Sequence, residues 1–314
     1  VRVTDIEPLD LREGPGFRSW LRGAPADGRS NPAGGAMLEG GAEDVENAWR
    51  WFLERAGHGD IVVLRATQDE GYDAWVREVA PVRSFHTLQL TDRAAADDPF
   101  VIGSIERADG LFIAGGDQYD YVRVWMDTPI QRAIGSAIAA GVPVGGISAG
   151  LAVLGGFAFT AERDTITSEQ ALADPFDDRV RLARGFLSVP GLEETITDSH
   201  FSERDRLGRL LTFMARILAD GWASEVRGVG IDEEAAVLIE PDGIATVEGT
   251  GAACFLRMHA ADPRTCAPGT PLETGPIGAV VVRHGGTFHM GAWTGSGESR
   301  TVRATHGAVR REDA

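Results

Sequence analysis

The sequence predicts an α/β protein, a mostly parallel sheet flanked by helices and followed by a β-rich C-terminal extension. Three observations carry this. Short continuous apolar runs such as Ile61-Val62-Val63-Leu64 read as strands buried on both faces. Segments with apolar residues at helical spacing separate those runs. After residue 235 the helical spacing stops and strand-turn-strand patterns take over.

The first thirty residues, with Gly14-Pro15-Gly16 and Ala24-Pro25-Ala26-Asp27-Gly28, read as a loosely structured approach segment. Core patterning starts near Gly34-Gly35-Ala36-Met37. A helix carrying Val45, Ala48, Trp49, Phe52 and Leu53 on one face leads to the strand 60–65. A helix from Tyr72 to Val79 precedes a strand from Ser84 to Leu88, and a helix from Pro99 to Ala108 precedes the strand 110–114. A longer helix from Pro129 to Ala140 leads to the strand 143–147. Beyond 235, the stretch Ala236 to Val247 turns at Pro241-Asp242-Gly243 and reads as a hairpin, with further strands near 253–258, 279–282 and 287–290. The predicted organisation is an approach segment (1–30), an α/β core (31–240) and a β-rich extension (241–314) packed on the same domain.

Composition removes several functions. All 30 basic residues are arginine. Without lysine the chain has no Walker A phosphate loop, no lysine Schiff base and no kinase ATP lysine. A formal charge of −17 argues against nucleic acid as a partner, because a phosphate backbone is held by a basic surface. No apolar run reaches membrane-spanning length, so no membrane partner is expected. The chain opens at Val1 without a basic-then-apolar leader, which fits an exported protein with its leader removed as well as a cytoplasmic one. Cys254 and Cys266, the two cysteines, fit either a disulfide or two free thiols.

Three stretches carry chemistry. Gly146-Ile147-Ser148-Ala149-Gly150 is a G-x-S-x-G match between a Val/Gly-rich strand and a small-residue helix start, the context a nucleophile elbow requires. Ser148 would stand above the sheet edge, with the Ala149 N–H placed to stabilise an oxyanion. The alternative is a Gly-rich turn in which Ser148 merely caps a helix. In the second stretch, a strand ends in Gly115-Gly116-Asp117-Gln118, and Gly116 offers a second backbone donor at the carboxyl ends of the strands. Asp117 fits equally as the cap of the next helix. In the third, Thr197-Asp198-Ser199-His200 ends an extended segment and an arginine-rich helix follows. Among the seven histidines only His200 has a polar cluster after a strand, which makes it the candidate base for a serine nucleophile. His58, His284 and His306 lie beside glycines, and His259 and His289 lie in the late β region.

Gly-Gly-Asp-Gln, Gly-x-Ser-Ala-Gly and Asp-x-His-Phe-Ser-x-Arg-x-Arg-x-Gly-Arg, in this order, closely resemble the cyanophycinase branch of serine peptidase family S51, which also contains dipeptidase E. The resemblance runs from Gly34 through Gly228-Val229-Gly230-Ile231-Asp232-Glu233, about two-thirds of the chain. It implies a fold like class I glutamine amidotransferases and a cofactor-independent, metal-free peptidase cleaving bonds at acidic residues, with a β-aspartyl linkage in cyanophycin. Carried over, Ser148 is the nucleophile, His200 the base, and Gly116 and Ala149 the oxyanion donors. Asp117, Gln118, Ser199, Arg204, Arg206 and Arg209 are the candidates for holding substrate, since arginine forks suit carboxylates. Some of these arginines are expected only to pair with Glu203 and Asp205 on the surface.

In the family the acid of the triad lies between serine and histidine. Glu169 is the first choice, ahead of Glu162 and Asp164; if the acid aligns one position later, Gln170 occupies it. Two positions depart from the resemblance: Ile147 stands where cyanophycinases carry threonine, and Ser199 where they carry glutamine. Both bear on substrate, so the peptidase class is the firmer expectation and cyanophycin the weaker. The partner expected is a peptide or isopeptide. Competing readings are an α/β-hydrolase esterase, against which the lack of an HGGG-like stretch counts, and a binding protein that keeps the fold without turnover. The late β region extends the sheet or contacts a second copy in a homodimer.

Overall fold

The computed structural model describes residues 9–26, 28–66 and 72–313. The predicted approach segment is a hairpin: β1 (Asp10–Gly14) and β2 (Phe17–Gly23) pair antiparallel. Residues 1–8 and Asp27 of that segment, and Ala314 of the C-terminal extension, lie outside the described residues. Gly16 turns the hairpin at φ +74°, a conformation glycine adopts without a steric penalty.

Alternating strands and helices follow. In order they are β3 (Ala36–Glu39), α1 (Glu46–Arg55), β4 (Asp60–Arg65), α2 (Asp73–Val79), β5 (Ser84–Leu90), α3 (Pro99–Arg107) and β6 (Gly110–Ile113). Then come α4 (Gln118–Trp125), α5 (Pro129–Ala139), β7 (Val144–Ile147) and the short α6 (Ala149–Ala152). Capping signals set several starts. Asp98 accepts from the Phe100 and Val101 amides with Pro99 in the first turn of α3, and Pro129 begins α5 after Thr128.

Strands β5, β4, β6, β7 and β3 are parallel neighbours, flanked by the antiparallel β2 on one side and by β12 (Ala235–Ile239) and β13 (Ile244–Gly249) on the other. Alternation along each strand divides its side chains between two layers. Ile61 and Val63 of β4 pack with Trp49, Phe52 and Val76 of α1 and α2. Val62 and Leu64 pack with Ile105 and Ile134 of α3 and α5. Helices cover both faces, as the continuous apolar runs predicted.

A second sheet was not read from the sequence. It is built from β8 (Phe157–Phe159), β9 (Leu182–Arg184), β10 (Thr195–Asp198), β11 (Glu225–Ile231), β14 (Ala252–His259), β17 (Ile277–Arg283), β20 (Glu298–Thr305) and β21 (Ala308–Asp313). Within it β8, β10 and β11 are parallel and the C-terminal strands antiparallel. The short strands β15 (Arg264–Thr265) and β16 (Glu273–Thr274) pair apart, while β18 (Thr287–His289) and β19 (Thr294–Gly295) extend the first sheet beyond β13. The architecture is α/β as predicted, with a parallel core in the first sheet, flanking helices and extensive C-terminal strands; the sheets are mixed at their edges. The boundary expected at 240/241 falls inside the β12–β13 turn, where the Gly243 amide donates to the Glu240 carbonyl.

The two sheets share an apolar layer that includes Val229, Ile231 and Phe255 from the second sheet and Val237, Val247 and Phe288 from the first. The outer face of the second sheet is covered by α7 (Ser168–Ala173) and α8 (Leu207–Ala219), whose Leu210, Leu211 and Met214 join Ile196 and Val226. This face-to-face packing brings the carboxyl ends of β7, β3, β10 and β11 into one crevice.

Candidate active site

Ser148 follows β7 directly and has φ +53° and ψ −111°. A non-glycine residue in that region costs of order 1–3 kcal/mol and persists only where its surroundings hold it. Here the glycines on either side allow the turn. A Cβ on Gly146 would lie 2.6 Å from the Gly150 carbonyl carbon, and one on Gly150 only 2.0 Å from the Ile113 carbonyl oxygen. Both positions of the motif must lack a side chain for β7, α6 and the end of β6 to meet.

The Ser148 amide donates to the Glu39 carbonyl at 3.0 Å, so it is not free to face a substrate. The Ala149 and Gly116 amides have no hydrogen-bond partner among the described residues. A Cβ built on Gly115 would fall 3.7 Å from the Ser148 Cβ, so the Gly115-Gly116 turn abuts the serine. Two open backbone donors beside a serine suit a developing oxyanion.

His200 follows β10 with φ +44°. Its amide donates to the Gly40 carbonyl at 2.9 Å, and the next amide, Phe201, donates to Ile231 at 3.1 Å, which ties the histidine to the ends of β3 and β11. The ring lies against Gly41, where a Cβ would sit 2.3 Å from Cε1 and 2.5 Å from Nε2. Held so, Nε2 is 2.8 Å from Ser148 Oγ. On the other side, Nδ1 is 2.6 Å from Glu233 Oε1. A carboxylate at Nδ1 selects the tautomer with its proton there, leaving the Nε2 lone pair toward the serine hydroxyl. His200 is 8% exposed, and burial lowers its pKa below 6.5; Glu233 opposes that shift while Arg204 and Arg206 add to it.

The carboxylate that meets the imidazole is that of Glu233, where the sequence pointed to Glu169. Glu169 is exposed in the first turn of α7, and Glu162 and Asp164 are also exposed. Gln170, the other alternative, is spent on a reciprocal cap with Thr167. Glu233 comes from the end of β11, the parallel neighbour of β10, so adjacent strands deliver His200 and Glu233 at the same sheet edge. The run Asp232-Glu233-Glu234 directly after an apolar strand was the available signal. Sequence reasoning also missed Gly40 and Gly41; a Cβ on Gly40 would fall 1.8 Å from the Asp232 carbonyl oxygen.

Of the expected substrate-binding residues, several are committed to the protein itself. Arg209 is 2% exposed and forks onto Asp198, Nε to Oδ2 at 2.7 Å and Nη2 to Oδ1 at 2.5 Å. It braces the segment ahead of His200 from inside the core, and no surface pairing with Glu203 or Asp205 occurs there. Arg206 donates to the Ser199 carbonyl at 2.8 Å and to the Ser199 hydroxyl at 3.2 Å. Ser199 is itself 4% exposed, so it supports the loop instead of facing a ligand. Asp117 caps α4 by accepting from the Tyr119 amide at 2.9 Å. Gln118 is half-buried and donates to the Phe159 carbonyl at 3.2 Å. Arg204 is exposed, close enough to His200 for its charge to act on the ring. Cys254 and Cys266 are free thiols. No group of side chains suited to a metal ion occurs among the described residues, and no helix of the described residues is long and apolar enough to cross a membrane.

The chain is similar to known proteins in sequence and in fold. It is 28% identical over 269 residues to the cyanophycinase of Trichormus variabilis (strain ATCC 29413 / PCC 7937), covering 81% of this chain and 85% of that protein. It is 30% identical over 247 residues to the cyanophycinase of Synechococcus elongatus, covering 75% and 70%. The crystal structure of a peptidase from an acI-B1 Actinobacterium shares the fold with a TM-score of 0.52 at 16% identity, covering 74% of this chain and 97% of that one. The model of peptidase family S51 matches residues 82–247, which contain the Ser148 elbow, His200 and Glu233. With that match spanning more than half of its length, the chain belongs to peptidase family S51 and is a serine-type peptidase.

Proposed function

We propose that this peptidase hydrolyses peptide or isopeptide bonds at acidic residues, aspartyl or β-aspartyl, with Ser148 as nucleophile, His200 as general base and acid, and Glu233 as the group that orients the imidazole. The observation that carries this is the unbroken relay of 2.8 Å from Ser148 Oγ to His200 Nε2 and 2.6 Å from His200 Nδ1 to Glu233. Ser148 Oγ attacks the scissile carbonyl as its proton passes to Nε2. The Gly116 and Ala149 amides receive the oxyanion. The imidazolium then protonates the leaving amine, and water attacks the acyl-enzyme with His200 again as base.

Acidic specificity draws on the relatives, whose names identify them as cyanophycinases. Within this chain Arg204 is the exposed cation beside the relay, and we assign it to the substrate carboxylate. Ile147, which departs from the resemblance, is 4% exposed, so it shapes the elbow from beneath. The test is hydrolysis of β-Asp-Arg and Asp-Xaa dipeptides beside neutral dipeptides and p-nitrophenyl esters, by the wild type and Ser148→Ala. Turnover of the acidic peptides that disappears in Ser148→Ala, with an unchanged melting temperature, is the expected result. Unchanged turnover in that variant overturns the mechanism, and ester turnover without acidic-peptide turnover overturns the specificity.

A further inference from the structure

A second cavity, of about 270 Å³, lies behind the catalytic histidine on the face of the second sheet that α8 covers. Ser148, His200 and Glu233 do not line it; the segment from Phe201 to Leu207 does, and so separates it from the relay. The hollow follows from strand register. Gly230, Cys254 and Val281 stand in one row across β11, β14 and β17, and Leu256, Ala279 and Arg300 in the next. Small side chains at the centre of these rows leave room that α8, starting at Leu207, does not fill. Phe201 closes one end by lying over Gly230, where a Cβ would come within 2.4 Å of its ring.

The floor is apolar and the rim cationic. Arg206, Arg283, Arg300 and Arg311 line the cavity along with Asp205 and Asp232. Of the two carboxylates, Asp232 is already engaged. Asp232 accepts from the Ser202 amide at 2.9 Å and the Ala252 amide at 3.2 Å. Asp205 faces Arg311 at 3.9 Å across exposed surface, where a pair contributes little. Arg300 shares Glu298 at 2.8 Å on its far side. Arg206 is different. Every hydrogen bond given above for it is made by Nη1, and its Nε and Nη2 make none among the described residues. Burial, with Arg209 and Arg204 nearby and Asp198 only partly compensating, pushes its pKa down to about 10. The positive end of the 13-residue α8 adds to the same potential. A guanidinium with two free nitrogens at the wall of an apolar hollow is the complement of a carboxylate on an apolar body.

We propose that this cavity binds a small organic carboxylate, its apolar part on the Cys254, Ala279 and Val281 floor and its carboxylate against Arg206 with Arg283 at the mouth. The volume admits a molecule of about the size of one acylated amino acid. Binding is tested by titration calorimetry on the full chain with isovalerate, and with isovaleramide as its neutral counterpart. Isovalerate is expected to bind at least about tenfold more tightly than the amide, the difference one charge-assisted contact makes. Arg283→Gln, at an exposed position, should weaken isovalerate about tenfold, and Val281→Phe should abolish binding by filling the floor, both with native circular dichroism. Blocking Ser148 with a fluorophosphonate should leave isovalerate affinity unchanged, which separates this cavity from the catalytic crevice. Equal affinity for acid and amide, no binding of either, or loss of binding on blocking Ser148 while both variants bind normally would overturn the proposal.

Discussion

Glu233 Oε1 accepts a hydrogen bond from His200 Nδ1 across 2.6 Å, although 33 residues separate the two in sequence. The contact exists because β10 and β11 are parallel neighbours, with Asp198 in register with Gly230, so the residues just past each strand emerge together. A base that must present its Nε2 lone pair to a serine needs its other nitrogen held in this way.

Replacing Glu233 by Gln keeps the shape and removes the charge that fixes the tautomer. We expect kcat on an acidic peptide to fall by on the order of 10³- to 10⁴-fold, with substrate KM little changed. Glu169→Gln, at an exposed helix start, should retain wild-type turnover in the same steady-state assay.

The acid limb of kcat/KM should have its midpoint below 6.5, because burial lowers the His200 pKa and a lowered pKa keeps the base neutral to more acidic pH. Arg204 contributes to that lowering through its charge. Arg204→Gln should therefore move the acid limb to higher pH, while Arg204→Lys should leave it in place. Profiles that superimpose for Gln and wild type would exclude this electrostatic role.

Gly41 carries φ +124° and has the imidazole where a Cβ would go. Gly41→Ala should displace the His200 ring and lower kcat/KM by about 10²-fold. Gly185→Ala, also at positive φ but facing open space, should cost about 1 kcal/mol of stability without a change in turnover. Kinetics together with thermal melts distinguish the two effects.

Arg209 and Asp198 form a buried two-bond pair ahead of His200. Arg209→Met leaves the Asp198 carboxylate buried without its fork and should destabilise the protein by about 3–5 kcal/mol. Denaturant unfolding measures this. If Arg209 instead held substrate, stability would stay close to wild type and KM alone would rise.

The local order of elements was legible because the parallel strands β3 to β7 are buried on both sides and each helix shows one apolar face. The elbow was legible for a related reason. Gly146, Ser148 and Gly150 answer to contacts within one strand-turn-helix unit, so their spacing is fixed along the chain. The hairpin at residues 10–23 was hidden because β1 is an edge strand exposed on both faces, and such a strand carries no apolar alternation. The second sheet was hidden because its strands are collected from positions as distant as Phe157 and Asp313.

By itself the sequence determined the α/β class and the strand-turn-helix setting of Ser148, and it singled out His200 and an arginine-only set of cations. Tertiary structure alone decided which carboxylate meets the imidazole and which arginines remain outside the core. Strand neighbours are set by which apolar faces pack together, so Glu233 enters beside His200 while Glu169, much nearer in sequence to the serine, stays at the surface. Arg206 and Arg209 show the same dependence. Their helical spacing is visible in the chain, but whether a guanidinium faces solvent or Asp198 depends on the sheet that α8 covers.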